Sequence, residues 1–186
     1  MLNLARTLSH CNYIRGSFSM SDIQQVAAFS NLPGPDVQAL LVQIASAWRA
    51  KGFCVAGLVA ENPSAEGACA AGHLRDLASD TQVALAPGSG GGTSKPSSTA
   101  ISQAIQLVRP QIAQADVLII SRFGEMEARQ HGLWPLFVAA IVADKPVLTT
   151  VLVEQKLVFE RYAPQVRYLQ PILDDVMTWS KAALGS

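Results

Sequence analysis

Apolar residues recur along the chain in two patterns, and the alternation of these patterns predicts the order of strands and helices. Apolar runs that suit buried strands lie at 26–30, 53–60, 116–121, 146–153 and 166–169. After the first run, Val37, Leu41, Ile44 and Trp48 return every three or four positions, as one buried helix face requires. The same reasoning predicts helices at 101–112, 133–143 and 157–162, and a closing helix after position 171. Residues 74–77 and 82–86 flank turn-forming residues and predict a small antiparallel ribbon.

Strands that alternate with helices predict an α/β fold, here a three-layer sandwich around a mostly parallel sheet. We expect one domain over residues 21–186. Residues 1–20 contain Arg6 and Arg15 but no acid, and we interpret them as a disordered or mis-assigned extension outside the fold. Their composition is typical of a transit peptide, and equally of a reading frame that truly starts at Met20, which we favour. Residues 87–98 are rich in Gly, Ser and Pro and predict a loop.

Composition excludes several classes of function. Lys plus Arg total 14 and Asp plus Glu total 14, and a net charge of zero argues against a nucleic-acid binder. No uninterrupted apolar run approaches the ~20 residues that span a bilayer, so we expect no membrane insertion. Cys11, Cys54 and Cys69 lie too far apart for a paired-cysteine metal site. We therefore expect a cytoplasmic protein without disulfides.

Three stretches resemble the small P-loop nucleoside-triphosphatases that are also called cancer-related NTPases. They are the strand, glycine turn and helix at 26–49, the strand at 51–59, and residues 115–151 with their Phe-Gly-x-Met-Glu motif at 123–127. The chain is more similar to a related bacterial family of unknown function. That family has a glycine turn without lysine, matched here at 34–36, and an Asn-Lys-Phe-Gly-like motif, matched at 121–124. The resemblance implies a P-loop fold and a link to molybdate transport or metabolism, because genes of the family often lie near molybdate-transport genes.

Departures from the P-loop pattern bear on the chemistry. A working loop ends in Gly-Lys-Ser or Gly-Lys-Thr, whose lysine reaches the phosphates and whose hydroxyl holds Mg²⁺. The chain has Pro35 and Asp36 there, while Ser121 and Arg122 stand where the resemblance implies the acids that bind Mg²⁺ and activate water. At ~4 Å and an effective dielectric constant of ~20, an aspartate beside a phosphate costs ~4 kcal/mol. We therefore expect a degenerate, non-hydrolytic domain. The alternative is an active nucleoside-triphosphatase or phosphohydrolase with a non-standard site around Arg122 and nearby glutamates.

Ligands of parallel sheets bind beyond the carboxyl ends of the strands, and this rule selects the candidate site. The predicted ligand-binding residues are Ser30, Asn31, Gly34, Asp36, Ser121, Arg122, Gly124 and Glu127. Arg122 suits a small anion or a nucleotide phosphate, because arginine binds oxyanions through two parallel hydrogen bonds. The alternatives are an ion pair of Arg122 with Glu125 or Glu127, and an N-capping role for Asp36.

No metal site or catalytic residue is assigned from the sequence, and no cofactor is named. A protein partner or a homo-oligomer is also considered, with Trp134, Leu136 and Phe137 as candidate interface residues.

Overall fold

The computed structural model describes residues 25–30, 35–61, 72–85 and 97–185, and for Pro35 and Asp36 it describes the backbone alone. The strands are β1 (Val26–Ser30), β2 (Val55–Glu61), β3 (His73–Asp76), β4 (Gln82–Ala84), β5 (Val117–Phe123), β6 (Val147–Val151) and β7 (Arg167–Tyr168). The α-helices are α1 (Pro35–Ala50), α2 (Ser98–Val108), α3 (Glu125–Ala128), α4 (Trp134–Val142), α5 (Lys156–Tyr162) and α6 (Leu173–Ala183). Short 3₁₀ segments, Arg109–Gln114 and Val153–Gln155, extend α2 and precede α5.

All of these strands belong to one sheet, in the order β4-β3-β2-β5-β6-β1-β7. The pairs β2–β5, β5–β6, β6–β1 and β1–β7 are parallel. At one edge of the sheet, β3 pairs antiparallel with both β2 and β4 and so forms an antiparallel ribbon. The predicted α/β fold with a mostly parallel sheet is therefore confirmed, and so is the ribbon. Among the described residues, no helix is both long enough and apolar enough to span a membrane.

Helices cover both faces of the sheet, and the side chains of β5 alternate between the two layers. Leu118 and Ile120 belong to a buried cluster with residues of α2, α4 and α5. Val117 and Ile119 belong to the cluster on the other face, with residues of α1 and α6. Because β5 is apolar on both faces, it is a central strand of a three-layer sandwich.

Gly57 allows β2 and β5 to lie side by side. Its φ angle is +132°, and a Cβ atom built there would lie 1.9 Å from the backbone oxygen of Ile119. A side chain at this position would overlap the neighbouring strand. The glycine is therefore a requirement of the sheet itself.

The predicted end of β5 was wrong by two residues. The sequence suggests a strand that stops at Ser121, because a serine and an arginine interrupt the apolar run. The strand continues through Arg122 to Phe123, which is fully buried. Phe123 packs against Phe159 and Phe137, with ring centroids 4.8 Å and 5.7 Å apart, and this aromatic contact explains why the strand continues.

Two further predictions were wrong. Leu136 and Phe137 are 1% and 3% exposed and belong to the core, so they are not interface residues. Trp134 is half-buried and packs on Tyr162 with ring centroids 4.4 Å apart.

Asp36 is the second residue of α1 and not its N-cap, because the helix begins at Pro35, a favoured first position for proline. The predicted extension at 1–20 and most of the glycine-rich loop lie outside the described residues.

Candidate functional site

The carboxyl ends of the three adjacent strands β5, β6 and β1 lie at one end of the sheet, which we call the carboxyl edge. Ser30 at the end of β1 and Phe123 at the end of β5 both pair with Val151, at the end of β6. The parallel strands therefore end together, and α1 begins shortly after β1 on the same edge. Ligands of open parallel sheets bind at such an edge.

A β-bulge interrupts the pairing of β5 with β6 at this edge. Ile120 pairs with Thr149 and Phe123 pairs with Val151, so Ser121 and Arg122 together lie opposite the single residue Thr150. The peptide bond between Ser121 and Arg122 is cis. Bulges redirect side chains and are common beside functional sites. Here Ser121 and Phe123 are buried, whereas Arg122 between them is exposed.

Ser121 links three elements beneath the edge. The residue is 1% exposed, and its hydroxyl donates a hydrogen bond to the Oε1 atom of Gln38 on α1 at 2.8 Å. The same oxygen accepts a long hydrogen bond, 3.4 Å, from the backbone N–H of Ala60 on β2. Ser121 therefore fastens the end of β5 to α1. Gln38 was not predicted from the sequence, because it occupies a polar position within an ordinary amphipathic pattern.

Arg122 has neither of the ion-pair partners that the sequence suggested. Among the described residues, its guanidinium makes no hydrogen bond and no ion pair. Its Nε atom lies 3.8 Å from the position that a Cβ atom would take at Gly124, which places the side chain beside the turn from β5 into α3. An exposed guanidinium in this state has all of its donors available to an anion.

The two nearby glutamates are engaged elsewhere. Glu125 forms an ion pair with Arg129 at 2.8 Å. Glu127 is 8% exposed and accepts backbone hydrogen bonds from Gly124 at 3.0 Å and from Leu133 at 2.9 Å. Glu127 thereby holds the turn that connects β5, α3 and α4. A ligand contact through Glu127 stays a prediction, and its two oxygens already have partners.

Metal-ligand clusters are absent from the part of the chain that the structure describes. No group of three or more His, Cys, Asp or Glu side chains comes together within those ranges. A carboxylate set that would hold Mg²⁺ is therefore not present among the described residues at this edge.

Two threonines on β6 differ in their hydrogen bonding. Thr149 is fully buried, and its hydroxyl donates to the backbone oxygen of Ile120 at 2.5 Å. Thr150 is 8% exposed, and its buried hydroxyl has no hydrogen-bond partner among the described residues. A buried hydroxyl without a partner is unusual, because its desolvation is not compensated. Sequence reasoning missed Thr150, since a threonine in a β-branched strand looks like ordinary strand composition.

Of the remaining predicted site residues, the structure describes Ser30 and Gly124. Ser30 is half-buried and ends β1. Gly124 is the residue before α3, and its N–H donates to Glu127. Asn31, Gly34 and the side chain of Asp36 lie outside the described residues. For all of these a ligand contact stays a prediction.

Comparison with known proteins places the chain in a family. Residues 26–179 match a family described as "Protein of unknown function (DUF2478)". The chain is also 30% identical over 138 residues to the molybdenum import ATP-binding protein ModC 2 of Bradyrhizobium diazoefficiens. That match covers 72% of this chain but only 15% of the relative's length.

The fold has a counterpart among solved structures. The solution structure of a human cancer-related nucleoside triphosphatase superposes with a TM-score of 0.61, at 21% sequence identity. The match covers 82% of this chain and 95% of the human chain, and it confirms the P-loop NTPase-like architecture. The chain belongs to the DUF2478 family and has the fold of the P-loop nucleoside-triphosphatases.

Proposed function

We propose that this domain binds an anionic ligand, a small oxyanion or a nucleotide phosphate, at the carboxyl edge of β1, β5 and β6, and does not hydrolyse it. The observation that carries the proposal is the state of Arg122. This residue is exposed beside a bulge in a central strand, and its guanidinium has no partner among the described residues. Arginine in that state binds oxyanions through charge-assisted hydrogen bonds.

The start of α1 supports the same location. A helix N-terminus carries a partial positive charge and backbone N–H groups without helical partners. The hydrogen bond between Gln38 and Ser121 connects the first turns of α1 to the bulge. The N-terminus of α1 and the guanidinium of Arg122 would therefore both attract an anion to the carboxyl edge.

The absence of hydrolysis follows from the residues that replace the P-loop machinery. Ser121 stands where the family resemblance implies the acid that holds Mg²⁺, and its hydroxyl is already bonded to Gln38. Glu127 is a buried acid six positions further along, and each of its oxygens accepts a hydrogen bond from a backbone N–H group. These hydrogen bonds compete with the binding of Mg²⁺ and with the activation of a water molecule. The domain is therefore a degenerate relative of the P-loop enzymes.

The choice of ligands to test follows from the relatives. One is named a molybdenum import ATP-binding protein, which makes molybdate and ATP the first two ligands to examine, and we propose a role linked to molybdate transport or metabolism. A role that operates through a protein partner instead would leave every member of a small-ligand panel without effect.

A thermal-shift panel of ATP, GTP, molybdate, sulfate and phosphate tests the proposal. At least one anion should raise the Tm of the wild-type protein, and Arg122→Ala should abolish that rise. Arg129→Ala is the matched control, because Arg129 is an exposed arginine seven positions further along that is paired with Glu125. An equal loss of the shift in both variants would indicate non-specific charge binding. An unchanged shift in Arg122→Ala would overturn the proposed site.

A further inference from the structure

We infer that Gln38 and Thr150 are ligand-binding residues, and that with Arg122 they form a donor-only site for a fully ionised tetrahedral oxyanion, bound without a metal ion. This inference rests on the proposed function, because it uses the same edge of the sheet. It adds two residues and the chemical class of the ligand.

The Gln38 amide turns its oxygen toward Ser121. The Ser121 hydroxyl oxygen accepts from the Ala60 N–H, and its single proton is donated to Gln38 Oε1. The Nε2 group is therefore the free end of the Gln38 amide, and it donates to no described residue. Gln38 is half-buried in the first turns of α1. Two N–H donors thus remain available beside the bulge.

Thr150 provides the second, independent observation. It lies opposite Ser121 and Arg122 in the bulge, and strand alternation puts it on the same face as Leu148, which packs in the cluster with α1. Its hydroxyl is buried and has no hydrogen-bond partner in the part of the chain that the structure describes. An uncompensated hydroxyl at a functional edge is explained when a ligand atom satisfies it. Thr149, on the opposite face, has its own partner and needs no such explanation.

The chemical class of the ligand follows from the balance of donors and acceptors. Arg122 and the Gln38 amide nitrogen offer donors only, and the Thr150 hydroxyl can donate. None of the three proposed binding residues is an acid, and three described carboxylates at this end of the sheet have partners already: Glu61 pairs with Arg75 at 3.2 Å, Glu125 pairs with Arg129, and Glu127 accepts from the backbone. A ligand that carries a proton, such as phosphate near neutral pH, would find no carboxylate acceptor among Arg122, Gln38 and Thr150. Sulfate and molybdate carry no such proton, and their oxygens can accept from every donor.

Isothermal titration calorimetry of the full chain, in EDTA, tests the inference with sulfate, molybdate and phosphate as probes. Sulfate or molybdate should bind more tightly than phosphate. Each of Gln38→Met and Thr150→Val should weaken the better ligand by roughly tenfold, as expected for the loss of one hydrogen bond to a charged group. The Tm of unliganded Thr150→Val should not fall, because the hydroxyl that is removed has no partner within the described ranges. Thr149→Val is the control: its Tm should fall while its affinity stays at the wild-type value.

The outcomes separate this inference from the proposed function. If Arg122→Ala abolishes binding while Gln38→Met and Thr150→Val bind as the wild type does, the edge site stands and the donor-only set is overturned. If ATP binds in an Arg122-dependent manner and no inorganic oxyanion binds, the ligand class is overturned and the proposed function stands. If Arg122→Ala binds every probe normally, the proposed function itself fails. Preference for phosphate over sulfate would likewise refute the donor-only character of the site.

Discussion

Replacing Glu127 by alanine should destabilise the protein and should act through the fold. The carboxylate accepts hydrogen bonds from the backbone N–H groups of Gly124 and Leu133 at 3.0 Å and 2.9 Å, and it is 8% exposed. Glu127→Ala leaves both donors without this partner. A hydrogen bond to a charged group contributes ~1.5–3 kcal/mol. The variant also removes the cost of burying a carboxylate, so we expect a net loss of about 2–4 kcal/mol.

Chemical denaturation monitored by circular dichroism measures this loss directly. For a domain of this size each kcal/mol corresponds to about 2–4 °C in Tm, so the melting temperature should fall by about 5–15 °C. Glu125→Ala is the matched control, since its exposed ion pair with Arg129 is worth only about 0.5 kcal/mol. A fully stable Glu127→Ala protein that has lost its affinity for the ligand would refute the reasoning. The carboxylate would then face the ligand, as one of the hypotheses from the sequence holds.

Three further predictions concern the sheet, the helix N-terminus and the chemistry. Gly57→Ala should lower the free energy of unfolding by more than about 4 kcal/mol and abolish soluble expression, because its Cβ would meet the Ile119 oxygen. The control is Gly52→Ala, where φ is +89° and the space around the residue is open. This substitution should lower the free energy of unfolding by only about 1 kcal/mol. Asp36→Asn should tighten oxyanion binding in calorimetry through loss of a like charge; weaker binding would mean that Asp36 accepts a hydrogen bond from the ligand. Purified protein with Mg²⁺ should not hydrolyse ATP or GTP, and Arg122-dependent turnover at an ordinary enzymatic rate of ~1 s⁻¹ would contradict this expectation.

Sequence reasoning predicted the fold well because the fold depends on local patterns. The apolar run of β5 and the helical spacing from Val37 to Trp48 each appear within a short window. The antiparallel ribbon was also predictable, since turn-forming residues separate its two strands. These signals need no knowledge of which segments pair. The strand order was not predicted: β1 and β2 are consecutive along the chain, yet β5 and β6 lie between them in the sheet.

The candidate site was predictable only in part. Arg122 was identified because it is a strongly basic residue at the end of an apolar strand. The bulge that exposes Arg122 depends on the pairing of β5 with β6, which is a property of two segments and has no signature in either alone. The roles of Gln38 and Glu127 depend in the same way on contacts with Ser121 and Leu133, which the chain brings together only when it folds.

The most direct test of the account is a ¹H–¹⁵N NMR titration of the full chain with molybdate, which follows backbone amides, the Gln38 side-chain amide and the Arg122 Nε–H together. The account predicts saturable shifts concentrated on Gln38, Arg122 and Gly124, with the Arg129 Nε–H unaffected. Saturable shifts that leave Gln38 and Arg122 unchanged and map to another surface would contradict the claim that the carboxyl edge of the sheet is the binding site.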